Sequence, residues 1–519
     1  MGHDGMGMDQ DMMDMMGGMP DGLVFATVLA LIIVSVVLAA GLNLRTNSSG
    51  QNRYWTFDLL TIPAVGRFFK SRFFQFSLQL PVVLIFLFTI LVGLFGSQLT
   101  AKNAAPLLTW TIWWAGLILI ILLLGKFWCI VCPWNALAQW IERLTFWKTS
   151  SAKLSLGLKW PTKWRNIYLA TGLFIALTWL ELGYGITFSP RMTAYFAILM
   201  IVMAVVSILI FERQSFCRYA CLVGRVSGMY ALFSPLELRS SDQQVCKTCG
   251  TNDCVNGNEK GYGCPTSQYL GTMDTNTYCI LCSECIKTCP HDNVSVNIRP
   301  FGADLKDHTK GQADEAYLVI VMLSMTVFHG LTMTPAWATI HTTIEQILGI
   351  GYLGAFSIGM VSILLIPVGL YATTAWIARL GVRKRSLSLK QVFVTFAYPF
   401  LPVALFYHMA HNAEHFFMEG QKLIALASDP FGWGWNLLGT AETVSASVLH
   451  LSTIWWIQAA LIIIGQAAGI AILISITRRL FPRWQDAIPV QVPFLLLILT
   501  CSFLNVWLTS QPMMMRTGM

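Results

Sequence analysis

Residues 23–43 read LVFATVLALIIVSVVLAAGLN, twenty-one consecutive positions without a charged side chain. A helix rises about 1.5 Å per residue, so about 20 apolar residues cross the roughly 30 Å of bilayer hydrocarbon. The stretch therefore predicts a membrane span. The same texture returns at 77–98, 107–127, 166–187, 193–211, 316–337, 348–372, 391–411, 453–476 and 489–509. Ten spans would thus organise the 519-residue chain. Pro399 and Pro402 fall inside the eighth, where the missing N–H groups and fixed φ predict a kink. Composition agrees with this reading. Charged residues make up 12 % of the chain, against about a quarter in soluble domains, and the mean hydropathy is +0.60.

The net charge of +8 lies mostly between the spans, so it reads as a topology signal and not as a nucleic-acid footprint. Basic residues crowd alternate connections: Arg45 to Arg72 after the first span, Lys148 to Arg165 after the third, Arg379 to Lys390 after the seventh, Arg478 to Arg483 after the ninth. Basic loops stay cytoplasmic. Both termini would then lie outside the plasma (inner) membrane of a bacterium or archaeon. Residues 1–22 are acidic and rich in Met, where a cleavable signal would start positive.

Twelve of the thirteen cysteines fall in four short windows on the predicted cytoplasmic side, and Cys501 stands alone in an apolar run. Residues 279–290 read CILCSECIKTCP. This is C-x2-C-x2-C-x3-C-P, the bacterial ferredoxin run, whose fourth cysteine serves the other cluster. Upstream stand Cys246, Cys249 and Cys254, then Cys264 before Pro265. Crossed ligation gives one [4Fe–4S] set of Cys246, Cys249, Cys254 and Cys289, and a second of Cys279, Cys282, Cys285 and Cys264. Four-cysteine zinc sites are the competing reading. Cys129 and Cys132 end the third span, and Cys217 and Cys221 end the fifth. They are candidates for a third cluster, with a metal-free structural role or a redox thiol pair as alternatives.

The chain divides accordingly into a Met-rich outer tail (1–22), a five-span half with the Cys pairs (23–239), a ferredoxin-like insert (240–310), a five-span half containing histidines (316–509) and a second Met-rich tail (510–519). The fold class is mainly α: a polytopic helical membrane protein carrying a small 2[4Fe–4S] cytoplasmic domain.

His329, His408, His411 and His415 stand in the second half. The last three cover about a 60° arc of one helix face. Ionisable groups within spans are candidate functional groups. Haem b, copper and a quinol site compete here with a structural role in which a neutral His bonds a carbonyl or Glu414. Residues 1–22 hold eight methionines, among them Met12, Met13, Met15 and Met16. Thioethers select Cu(I), so these are candidate copper ligands.

Spans, Cys pairs at two span ends and a double-cluster ferredoxin, together covering residues 75–300, resemble the membrane polyferredoxins related to NapH, NosR and CcoG. That family usually carries C-x3-C-P at the span ends; here Cys132 follows Cys129 by three positions and Leu222 follows Cys221. The resemblance implies an accessory electron carrier. Its electrons would pass between a quinol pool or cytoplasmic donor and a periplasmic or membrane redox partner. One branch is tied to copper reduction, which makes copper handling the alternative function. No P-loop or HExxH occurs, and no dinucleotide fingerprint in its strand-to-helix setting, so a component of an oxidoreductase system is expected over a stand-alone enzyme.

Overall fold

The computed structural model describes residues 15–44, 54–146, 154–306, 311–382, 387–443, 449–481 and 483–514. Among them nine helices are long and apolar enough to cross a membrane: Asp21–Asn43, Phe73–Phe95, Ala104–Arg143, Pro190–Ile210, Ala313–Thr332, Tyr352–Gly381, Leu389–Ser428, Leu451–Leu480 and Trp484–Ser510. The remaining expected span, 166–187, is the shorter apolar helix Tyr168–Gly183. Its last turn widens into a π-helix over Trp179–Gly183, and Gly185, with φ of 73°, ends it.

The expected kink in the eighth span is a full break. The helix Leu389–Thr395 stops, and Phe400–Met418 begins directly after Pro399. Pro402 then sits in the first turn of the new helix, where its missing N–H leaves no bond unmade.

The first span belongs by sequence order with the four that follow it, yet it packs against the last two, Leu451–Leu480 and Trp484–Ser510. Polar side chains decide this. Gln466 Nε2 donates to Leu31 O and Ser35 Oγ, each over 2.8 Å, and Asn43 Nδ2 donates to Gln491 Oε1 over 3.0 Å. Lipid is as apolar as Leu, so such hydrogen bonds and close packing choose the neighbour. Ala313–Thr332 and Phe400–Met418 form the enclosed centre of the second half, while Asp21–Asn43 faces outward along most of its length.

The ferredoxin-like segment rests on a three-stranded antiparallel sheet. Val294–Ile298 lies in the middle, with Leu236–Ser240 on one side and Phe57–Asp58 on the other. Asp58 fixes its edge by accepting from Val296 N over 3.1 Å. A buried clasp holds the sheet end. Arg299 Nη1 meets Glu237 Oε2 at 2.8 Å and also Asp304, and Arg239 Nη2 meets Asp304 Oδ1 at 2.8 Å. Burial alone would raise the Asp304 pKa; Arg239 and Arg299 more than offset it and hold the carboxyl below the usual carboxylate range.

Candidate functional site

The first predicted ferredoxin set closes around one hollow. Cys246, Cys249, Cys254 and Cys289 line it with Tyr269, Leu270 and Asn293. Short helices set the thiols: Cys246 lies on Gln243–Thr248, capped by Asp242, and Cys249 ends it. Asn293 donates to two of the sulfurs, from its N to Cys289 and from Nδ2 to Cys246, both over 3.4 Å. Gly271 is required nearby, since a Cβ there would stand 2.9 Å from Cys246 Cβ.

The second set lines a second hollow: Cys264, Cys279, Cys282 and Cys285, with Leu270 shared between the two. The loop is wound tightly. Leu281 and Ser283 adopt φ of 56° and 64°, a left-handed conformation costing of order 1–3 kcal/mol for such residues. Glu284 ties the loop to its surroundings, accepting from Gln75 Nε2 at 2.7 Å and Tyr262 N at 2.8 Å. Burial pushes the Cys279 thiol up to about 11 and those of Cys282 and Cys285 well above their ordinary value. At the half-exposed edge of the first hollow, the Asn252 N–H, then the Thr251 hydroxyl, lower the Cys249 thiol instead. Thiols raised in this way stay protonated at neutral pH when bare, and a metal takes the proton's place.

The span-end pairs also meet. Cys132 lies within electrostatic reach of Cys129, Cys217 and Cys221. Cys129 lies on the short helix Trp128–Val131, which follows a break at Gly125 (φ of 61°), and Cys132 joins it to Pro133–Arg143. Cys221 caps Leu222–Tyr230, its Sγ accepting from Gly224 N over 3.3 Å. Beside these thiols stand two cations, Lys126 and Arg225, each 1 % exposed. Among the described residues no carboxylate is seen bonded to either, although buried Glu315 lies within electrostatic reach of Arg225. Both cations donate to Thr277 O over 3.3 Å, and Nε and Nη1 of Arg225 have no hydrogen-bond partner. A buried cation is costly unless compensated. Negative charge on the surrounding thiolates and a bound cluster supplies that compensation, so the donor set fits such a group.

Among the described residues no three His, Cys, Asp or Glu side chains come together as a set that would hold a single metal ion.

The histidines gather in the second half. His408, His411 and His415 are all buried on Phe400–Met418. His408 Nδ1 lies 3.4 Å from Tyr230 Oη, and His329 Nε2 lies 3.4 Å from Glu181 Oε2. The rings of His329 and His411 are nearly parallel with centroids 6.2 Å apart. Beside them the Tyr407 hydroxyl lies against Gly330. His415 Nδ1 meets Glu419 Oε1 at 3.2 Å and its Nε2 meets Met333 Sδ at 3.3 Å. Glu414 bonds Gln458 Nε2, and Glu419 takes the place beside histidine expected of it. Met15 and Met16 pair as backbone with Met514 and Met513; Met12 and Met13 lie outside the described residues.

Lys126, Arg225, Glu181, Met333 and Glu419 were not singled out from sequence. For Lys126 and Glu181 a signal existed, an ionisable residue within an apolar run.

A family model described as a 4Fe-4S binding domain matches residues 106–151 and 193–237. Those segments contain the Cys129/Cys132 and Cys217/Cys221 pairs. No curated protein and no solved structure matches the chain. The matched 4Fe-4S segments lie within a multi-span helical protein, which supports iron–sulfur electron transfer.

Proposed function

We propose that this chain is a membrane-bound electron carrier linking a quinol pool or cytoplasmic donor to a redox partner in the membrane or on its outer side. Cys246, Cys249, Cys254 and Cys289 would hold one [4Fe–4S] cluster, Cys264, Cys279, Cys282 and Cys285 a second, and Cys129, Cys132, Cys217 and Cys221 a third. Such clusters, when bound, take up and release single electrons. The observation that carries this reading is the row the cradles make. Leu270 lines both ferredoxin hollows, and Lys126 lies within electrostatic reach of Cys279 on one side and Cys129 and Cys217 on the other. The row runs from Cys249 to the span ends, where Cys132 and Cys221 are buried. The basic loops favour a cytoplasmic position for this face in a plasma membrane, with both termini outside.

The test is anaerobic reduction of the full chain in membrane vesicles by a quinol analogue or by a low-potential soluble donor, followed by EPR. Reduced-cluster signals with either donor support the carrier role and identify the entry side. No signal with either, in protein that contains iron, overturns it.

One contact favours copper handling as a second reading. If His415 Nδ1 donates to Glu419, the neutral ring presents a lone pair on Nε2 to the Met333 thioether. A soft cation between nitrogen and sulfur would satisfy both, and a carboxylate behind the imidazole is the usual support of a metal-ligating His. The paired Met-rich tails would supply such an ion.

A further inference from the structure

Lys126 and Arg225 sit where the ferredoxin-like segment meets the span ends. Lys126 follows the break at Gly125, just before Cys129. Arg225 lies on Leu222–Tyr230, the helix capped by Cys221. Both reach the same acceptor, Thr277 O, two positions before Cys279. Arg225 also lies over the Tyr278 ring, 4.5 Å from its centroid. The approach is close enough that a Cβ on Gly228 would strike the Thr277 carbonyl. The ferredoxin loop is thus docked onto the membrane half through two buried cations.

We infer that Lys126 and Arg225 form an electrostatic bridge that raises the reduction potentials of the second and third clusters relative to the first. The inference rests on the three-cluster reading. Adding an electron makes a cluster more negative, so a fixed positive charge nearby stabilises the reduced form. Net charge and burial are the levers by which proteins set these potentials, and Coulomb interactions in a low-dielectric interior are far less screened than in water. Lys126 acts on Cys129, Cys217 and Cys279, whereas the charges acting most strongly on Cys254 of the first set are its own partners Cys246, Cys289 and Cys249. The bridge makes the second and third sites the better acceptors and gives the row a direction, from the first set toward the span ends.

The test is an EPR-monitored redox titration of the anaerobically purified full chain, comparing wild type with Lys126→Met, Lys126→Arg and Arg225→Lys, with iron counted in each. In Lys126→Met the midpoints of the second and third clusters should fall while that of the first stays in place. Lys126→Arg and Arg225→Lys, which keep the charge, should stay near wild type. Unchanged midpoints in Lys126→Met, or an equal shift of every cluster, would overturn the proposal. So would loss of about four irons with the remaining midpoints unmoved, which assigns Lys126 to holding the cradle together. A wild-type count of only about eight irons instead defeats the three-cluster reading, so the two failures are told apart.

Discussion

The side-chain amide of Asn293 donates to Sγ of Cys246 over 3.4 Å while its backbone N–H reaches Cys289 Sγ over the same distance. One residue thereby ties the first cysteine of the set to the one delivered from the far end of the ferredoxin run. Hydrogen bonds to charged acceptors are worth about 1.5–3 kcal/mol. Asn293→Ala keeps the backbone donor and loses the other. The midpoint of the first cluster should fall, with the other two unmoved, and redox titration followed by EPR reads this directly. An unchanged midpoint would remove Asn293 from any part in tuning.

Crossed ligation makes a specific demand on Cys264. It lies in sequence between Cys254 and Cys279 but lines the hollow of Cys279, Cys282 and Cys285. Cys264→Ser should lower iron from about twelve to about eight atoms per chain and remove the signal of the second cluster. Loss of the first cluster's signal instead would mean that each cysteine run holds its own cluster.

The gathering of these cysteines was legible because ligand spacing is local: the 279–290 run brings its thiols together wherever the chain folds. Spans were legible too, because length and apolarity suffice. What escaped was long-range. Phe57–Asp58 is two residues long, too short for any alternation to show, and becomes a strand only because Val294–Ile298 offers it an edge. The first span's place follows from Asn43 and Ser35 meeting Gln491 and Gln466 more than 400 positions away. Lys126 was visible as a charge in an apolar run, but its acceptor, Thr277, lies 151 positions on.

The clasp at Asp304 predicts an acid dependence. Its carboxyl is held below the ordinary value by Arg239 and Arg299, against burial. The unfolded state therefore binds the proton first as pH falls. The clasp's contribution is full above the unfolded value of about 3.9 and is lost as pH drops through the lower folded value. Asp304→Asn should cost about 3–5 kcal/mol at neutral pH, as breaking a buried pair does. The gap in melting temperature between wild type and variant should hold steady down to about pH 5 and narrow below about pH 4. A gap that is constant throughout would mean that the charge of Asp304 is immaterial.

Copper handling, as the second reading, stands or falls on Met333 and His415. Competition with a Cu(I) chelator under anaerobic conditions should show one copper retained by the full chain and lost in Met333→Leu and in His415→Gln. Glu419→Gln, which disturbs only the support behind the imidazole, should weaken binding about 10–100-fold. Equal retention by all of these proteins would remove the site.

Iron and acid-labile sulfide counted in one anaerobic preparation of the intact chain, with its EPR spectrum after reduction, bear most directly on the thiol cradles. About twelve irons and as many sulfides per chain are expected, with signals from reduced [4Fe–4S] clusters. A colourless protein free of iron, or one carrying zinc in its place, would contradict the assignment outright.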